Sequence, residues 1–404
     1  MACSDRLMPP SIHYLSHVGL CGYGVAGRRL ALALAGQGVD LTWSPIVFDP
    51  AAPLCRDDQP CEPALAPYRR PAGRHAPGRP DMGQPDVVVV HGVPELIPAL
   101  EHLRPSGGAL LCHTVWEHAQ LQPHWPALLN RCDGVIVPTA WNAAAFVAAG
   151  VTVPIGIVPH TVADDGLDDG WLGPDGLDLG DRFVVHSIAS WTDRKRPLRT
   201  VEAFAAAFGP DDDAVLVLRT DREIEPTAPA PPGPPHRRRL TSWAAAPIIH
   251  QHHPTAPIHL VHDRLSHAQV AALHQRSDCW LSLPHAEGWD LGAFDAAVAG
   301  TPVVTTAWGG PLAWLDPASP LLVPGVEVAN PHVPGTTWVD PDLDAAVAAL
   351  RAVAAGRQGR SVEPGGPVAA AAIAAAARAG ELRHAYGAAT VAGTFLDVLE
   401  AMGT

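Results

Sequence analysis

Short apolar runs alternate with amphipathic stretches along most of the chain. In the first half the runs are SIHYLSHV, VDLTWSPIV, DVVVVHG, ALLCHTV, DGVIVPT and IGIVPH, with helices predicted from Gly27 to Gly36 and from near Trp141. Their alternation with helices predicts a parallel sheet with crossover helices. The Asp- and Gly-rich segment ADDGLDDGWLGPDGLDLGD, residues 163–181, breaks the pattern and is predicted to be an interdomain linker. A second series follows: RFVVHSIAS, a helix from about Pro197 to Phe208, AVLVLRT, PIHLVH, a helix through HAQVAALHQRS, DCWLSLP, a helix from about Leu291, and TPVVTTA. Between Glu223 and Arg239, EIEPTAPAPPGPPHRRR is predicted to be a solvated, Pro-rich insertion, and the Ala-rich stretch near the end predicts helices that close the fold. The expected organisation is an α/β chain with domains at 1–165 and 182–375. A C-terminal helix over 376–404 is expected to pack back toward the first domain.

Size and composition agree with two domains: 404 residues, 47% hydrophobic and 17% charged, with 37 Gly and 43 Pro supplying turns. A net charge of -14 argues against a nucleic-acid footprint or attraction to anionic lipid. The opening MACSDRLMPPSIHYLSHVGL lacks a basic start followed by an apolar run, and no segment has the apolar length of a membrane span. The expectation is a soluble, cytoplasmic protein of unknown oligomeric state. Seven cysteines without a C-x-x-C pair predict buried free thiols and no zinc site. His250, His252 and His253 in IIHQHHP form a candidate metal cluster without a matching second ligand pair, so no metal is expected.

Two stretches carry candidate chemistry. The first, GLCGYGVAGRRLALALAGQGVDL, holds G-x-G-x-x-G at Gly22, Gly24 and Gly27. A nicotinamide site needs an acidic residue at the end of the second strand, and here Asp49 arrives only after LTWSPIVF. What remains is a helix start whose N–H groups face the sheet's carboxyl edge, ready for a polar ligand. The second stretch, residues 273–310, runs from a helix through CWLSLP to a turn holding Glu287, a helix carrying Asp295, and then Gly300, Thr301, Pro302 and VVTT. Glu287 at a strand end and Asp295 one turn into the next helix are expected to face one crevice. Carboxylates accept paired hydrogen bonds from vicinal hydroxyls, and the helix start near Asp290 and Leu291 suits phosphate; a nucleotide sugar offers both.

These residues resemble the glycosyltransferase family 4 pattern, in which a Glu, seven residues and a second Glu stand between strand and helix, followed by an ACGTPVV-like segment. This chain has Glu287, seven residues, Asp295, and then VAGTPVVTTAWGG. SIASWTDRKRPLRTVEAFAAAF resembles the family's basic diphosphate-binding segment, with Lys195 at its lysine position. ALLCHTVWEH places His113 and Thr114 at its histidine, and GYGVAG resembles its glycine turn. The resemblance covers about residues 12–350. It implies a GT-B fold of two facing Rossmann-like domains, with donor bound in the cleft between them and no divalent metal or other cofactor. There are three departures. Ala189 stands where many members have a second phosphate-binding arginine, so that either Arg194 or Arg196 substitutes or the diphosphate is held by fewer charges; Asp295, one methylene shorter, replaces the second Glu; Asp290 stands where glycine is frequent and brings a negative charge near the expected phosphates.

The activity so implied is retaining transfer of a hexosyl unit from a nucleoside-diphosphate sugar to an acceptor hydroxyl. Charge on the departing diphosphate would be held by Lys195 and the helix start over Gly288, Trp289, Asp290 and Leu291, each charge-assisted contact worth about 1.5–3 kcal/mol. Gly22, Gly24, Arg194, Arg196 and Asp295 would complete the donor site, Glu287 would orient the sugar hydroxyls, and His113 would contact the sugar from the other domain. Trp116, Trp125 and Glu117 are candidates for an acceptor cleft, with core packing as the alternative for the tryptophans. An acidic chain without a basic amphipathic helix favours a soluble acceptor over a lipid one. Two other readings stay open: a nicotinamide-dependent sugar-nucleotide oxidoreductase or epimerase resting on the glycines, and a non-catalytic sugar-nucleotide-binding protein.

Overall fold

The computed structural model describes residues 10–19, 21–55, 62–69, 84–163, 173, 179–224, 239–253, 255–357 and 367–404. The predicted linker and the Pro-rich insertion lie almost wholly outside them, as do Cys3 and Cys61. The chain divides into two units, one of residues 1–163 and 384–404 and one of residues 164–383.

The first unit holds six parallel strands, β1 (Ile12–His17), β2 (Leu41–Ile46), β3 (Val87–His91), β4 (Ala109–His113), β5 (Gly134–Val137) and β6 (Ile155–Ile157), in the order β2-β1-β3-β4-β5-β6. Helices α1 (Gly22–Gly36), α2 (Ile97–Leu100), α3 (Trp125–Leu129) and α4 (Ala140–Ala148) connect them. Tyr14, Val87, Val89 and Leu111 face one apolar layer, while Leu15, Val88, Val90 and Leu110 face another. Strands buried on both faces need that unbroken apolar character.

α1 begins at Gly22, five residues before the helix predicted at Gly27. Gly19 turns the chain at φ 110°, and the helix then presses straight onto the strand. A Cβ on Gly24 would collide with the Gly19 carbonyl, and one on Gly27 would lie 2.5 Å from Ser16 Cβ. All three glycines therefore sit inside the helix, and Gly24 and Gly27 serve its close approach to β1 and the turn after it, while Gly22 has open space around it.

The second unit repeats the plan with β7 (Phe183–Ile188), β8 (Ala214–Arg219), β9 (Ile258–Val261), β10 (Cys279–Ser282), β11 (Val303–Thr306) and β12 (Leu322–Val323), in the order β12-β11-β10-β7-β8-β9. Its helices are α5 (Pro197–Ala207), α6 (Thr241–Gln251), α7 (His267–Arg276), α8 (Leu291–Ala299), α9 (Leu343–Arg357) and α10 (Pro367–Ala385). Two-stranded ribbon β13 (Gly325–Ala329) and β14 (Thr337–Pro341) is antiparallel and separate from the main sheet. Neither the ribbon, α6 nor α9 is predicted from the sequence pattern. α7 starts with a reciprocal capping box between Ser266 and Gln269.

The last helix, α11 (Ala388–Met402), returns to the first unit, where Val391, Ala392, Phe395 and Leu399 join the core beside Leu30 and Leu34 of α1. Gly134 and Gly156 give it room: a Cβ on Gly134 would lie 2.8 Å from Met402 Sδ, and one on Gly156 would strike Val398. No helix among the described residues is long and apolar enough to cross a membrane.

Candidate functional site

In the second sheet, successive connections leave β7 in one direction and β10 in the other, so the strand order reverses between these neighbours. Open α/β sheets bind ligands at the carboxyl ends of strands at such a switch point. The loop after β7 carries Arg194, Lys195 and Arg196, and the loop after β10 carries Glu287, so topology alone brings the basic segment and the carboxylate to one edge.

There the side chains converge. Glu287 is 6% exposed, with Oε1 2.6 Å from Lys195 Nζ and 3.0 Å from Arg194 Nη1. Arg194 also donates to the Ala286 carbonyl at 2.7 Å, and its own carbonyl accepts the His285 amide at 2.7 Å, which locks the two loops together. Burial works against ionisation of Glu287, but Arg194 and then Lys195 overcome it and hold the carboxyl below its ordinary value. Taking a carboxylate out of water between two half-buried cations gains little for stability alone. It is a common way to prepare a charged site.

Arg194 and Arg196, equivalent in the sequence, separate here. Arg196 has left-handed backbone (φ 46°, ψ 54°), precedes the first turn of α5, and pairs with Asp340 of β14. Arg194, beside Lys195, is the cation that joins Glu287. The ribbon contributes further ties to the same loops: the rings of Trp338 and His285 stack at 4.1 Å, the Val339 amide donates to the His285 carbonyl at 3.0 Å while the Val339 carbonyl lies 2.6 Å from His285 Nδ1, and His332 meets Asp193 at 2.8 Å.

α8 begins directly beyond Glu287. Asp290 caps it, accepting the Ala293 amide at 3.3 Å, while Ser282 donates to its other oxygen at 3.1 Å. Burial first and the Glu287 charge second push its carboxyl up to about 6. The negative charge that Asp290 brings to this position is thus the helix's own cap. Gly288 is buried, and its carbonyl leaves no room for a Cβ on Gly310, whose amide donates to the Glu287 carbonyl at 2.8 Å. Trp289 turns inward onto Phe294 and Trp314, Leu291 starts the helix half-buried, and Asp295 is half-buried one turn later.

The first unit has its own constellation at the carboxyl edge of β3 and β4. His91 and His113 are paired in register, and their rings stack 4.0 Å apart at 9°. His160 lies 6.5 Å from His113, and Tyr14 Oη is 2.6 Å from His91 Nδ1. Burial is the main cause that keeps His91, His113 and His160 neutral, with His160 lowered to about 3. His113 is 1% exposed and neither ring nitrogen has a hydrogen-bond partner among the described residues. Tyr23, between the first two glycines, meets Thr114 Oγ1 at 3.0 Å and donates to the Val115 carbonyl at 3.1 Å, so the start of α1 is fastened to the His113–Thr114 turn. His91, His160 and Tyr23 are not found by the sequence motifs; each lies at a strand end or helix start that only topology brings together.

Trp116 is 7% exposed, donates to the Gln120 carbonyl at 2.7 Å and packs on Trp125, which donates to Glu95; both indoles sit in the core. Glu117 is half-buried, and its charge adds to the larger effect of burial in raising the Tyr23 hydroxyl. Asp49 is exposed and caps its own turn through the Ala51 amide, three residues beyond β2. It is not placed as a ribose-binding acid. Cys55, Cys112, Cys132 and Cys279 are buried free thiols and Cys21 a half-buried one. Among the described residues, neither His250, His252 and His253 nor any other His, Cys, Asp and Glu side chains form a group that could hold a metal ion.

No family model and no curated protein matches the chain. Solved structures do. The chain is similar to a sucrose-phosphate synthase of Thermosynechococcus elongatus at 15% identity and TM-score 0.64, over 98% of this chain and 99% of that one. It is similar to a trehalose-6-phosphate synthase at 13% identity and TM-score 0.59, over 96% and 99%. A TarM variant of S. aureus, in complex with fondaparinux, α-GlcNAc-glycerol and UDP, matches at 11% identity and TM-score 0.53, over 77% of this chain and 55% of that one. The chain therefore spans about half of TarM and nearly all of the two synthases. At these identities the likeness is one of fold: two parallel-sheet Rossmann-like units with a C-terminal helical segment, the GT-B fold of these glycosyltransferases.

Proposed function

We propose that the protein is a retaining, family 4-like glycosyltransferase that moves a hexosyl unit from a nucleoside-diphosphate sugar to an acceptor hydroxyl. The observation that carries this reading is the buried Glu287 bracketed by Lys195 and Arg194 at the switch point, beside the start of α8. Lys195 and Arg194 then stabilise charge gathering on the departing diphosphate, with Arg194 in place of the basic residue that Ala189 lacks. Glu287 accepts hydroxyls of the sugar and keeps the two cations in register.

No nucleophile is needed: as the anomeric carbon becomes oxocarbenium-like, the leaving phosphate takes the acceptor's proton on the same face. His113, neutral and with both nitrogens open, suits a sugar hydroxyl, which donates and accepts, better than it suits an anion. GT-B neighbours with UDP in their complexes support a nucleotide donor, and the net charge of -14 argues against nucleic acid as a partner.

Calorimetric titration with nucleoside diphosphates, their sugar conjugates and nicotinamide dinucleotides, with and without chelator, tests the reading. Binding of one nucleoside diphosphate in chelator is expected; binding of a nicotinamide dinucleotide alone would return the glycines to an oxidoreductase.

A further inference from the structure

Asp290 and Arg196 are the two described non-glycine residues with positive φ, and both stand at helix starts flanking the Glu287 site. Arg196 has an outward partner in Asp340. Asp290 instead turns inward: it is 8% exposed, with left-handed backbone (φ 61°, ψ 76°) that glycine adopts freely. One carboxyl oxygen holds the Ala293 amide and the other the Ser282 hydroxyl, which is itself bonded to Trp280 Nε1 and Thr305 Oγ1. A carboxylate of the protein's own thus sits where the helix start would meet phosphate. The charged groups bearing on it are Glu287, which opposes its ionisation, and Lys195, which favours it. Arg194 and Lys195 against Glu287 and an ionised Asp290 leave the cluster with no net charge. An arriving diphosphate meets Asp290 as a like charge.

We propose that Asp290 sets donor affinity as an internal competitor: its carboxylate occupies the start of α8 in the free protein, and binding of a nucleoside-diphosphate sugar converts it to the neutral acid. The proposal rests on the donor-site reading above. The proton comes from solvent and stays on an Asp290 carboxyl oxygen, so no co-reactant is consumed. The sign follows from linkage. Burial and then Glu287 place the free protein's Asp290 at about 6, so it is ionised at pH 7.5 and binding takes up a proton, whereas below pH 6 it is already protonated. Affinity therefore rises as pH falls from 8 to 6, by up to about tenfold per unit, and levels off below.

The test is calorimetric titration of the whole chain with UDP-glucose, ADP-glucose and GDP-mannose, whose phosphodiesters do not titrate in this range, in two buffers of different ionisation enthalpy. Uptake approaching one proton at pH 7.5 and little at pH 5 is expected for whichever probe binds. Asp290→Asn and Asp290→Gly both tolerate the left-handed backbone and are expected to bind about tenfold or more tightly at pH 7.5, with the pH slope gone. Binding by the wild type without proton uptake, or weaker binding by both variants, overturns the proposal and leaves the donor site standing. Failure of all three probes on wild type and variants overturns both. Binding seen only in the variants supports both.

Discussion

Two cations face the buried carboxylate of Glu287 while a third beside them in sequence turns to Asp340, and these unequal surroundings predict unequal roles. Lys195 and Arg194 both reach Oε1 of Glu287, while Arg196, adjacent in sequence, is committed to Asp340. Replacing Lys195 or Arg194 by Ala is expected to lower sugar-nucleotide turnover by at least about tenfold each, the scale of one charge-assisted contact made in the transition state. Arg196→Ala is expected to leave turnover within about threefold and to lower thermal stability instead, because it unfastens β14. Equal losses in all three would mean that the basic segment acts as a diffuse positive patch. The pH sign at Glu287 is opposite to that at Asp290. With its folded value depressed, Glu287 contributes stability above the unfolded carboxylate range, which is lost as pH falls through the folded value. Glu287→Gln is expected to be less stable than wild type at pH 7 and to converge with it in acid, as followed by thermal melting.

Among the elements, the carboxyl edge of β3 and β4 is where acid should act first. His91, His113 and His160 are held neutral by burial, so the unfolded chain binds protons that the folded chain does not once pH drops below about 6.5. Stability conferred by this stack is present at pH 7 and declines as pH falls toward the folded values. His160→Asn is expected to flatten that decline, measured as Tm against pH between 7 and 4; an unchanged slope would place the acid sensitivity elsewhere. Glycines offer a second element-scale test. Gly24→Ala drives a methyl into the Gly19 carbonyl and is expected to cost about 1–3 kcal/mol, whereas Gly36→Ala, with open space around its Cβ, should be neutral or stabilising by up to about 1 kcal/mol. How much was legible in the sequence follows the same physics. Parallel strands buried on both faces read as apolar runs, so the sequence predicts β1–β11 within a few residues; Glu287 stands out by its spacing to Asp295, and Lys195 only by the family resemblance. The ribbon does not stand out, because Val326 is 65% exposed and the segment is rich in Pro and Gly, without the burial that makes a strand periodic. Arg196's commitment to Asp340 spans 144 residues, and the stacking of His91 on His113 depends on strand order; neither leaves a local signal.

At the scale of the whole molecule, the chain leaves the first unit near residue 163, builds the second, and returns at residue 384 to finish the first. The return is an energetic necessity. Val391, Ala392, Phe395 and Leu399 are all at most 1% exposed, and they lie in the same apolar layer as Leu30 and Leu34 of α1 and Ile136 of β5. Burying side chains of this size stabilises by about 1.5–3 kcal/mol each for the larger ones, comparable in sum to the whole stability of a domain. α10 is anchored differently, through Arg378 to the Trp314 carbonyl and Arg383 to the Val298 carbonyl, both within the second unit. Truncation after Arg383 therefore removes α11 and leaves α10 with its partners. The truncated protein is expected to lose the cooperative unfolding of the first unit while the second still melts as a unit and still protects Glu287 and Lys195 from proteolysis. Hydrogen exchange read by mass spectrometry separates the two, with β1, β3 and β4 exposed and β7, β8 and β10 still protected. If β1 stayed protected, the first sheet would hold its fold without the last helix, and the two glycines that admit α11 against β5 and β6 would have to be explained by something other than its docking.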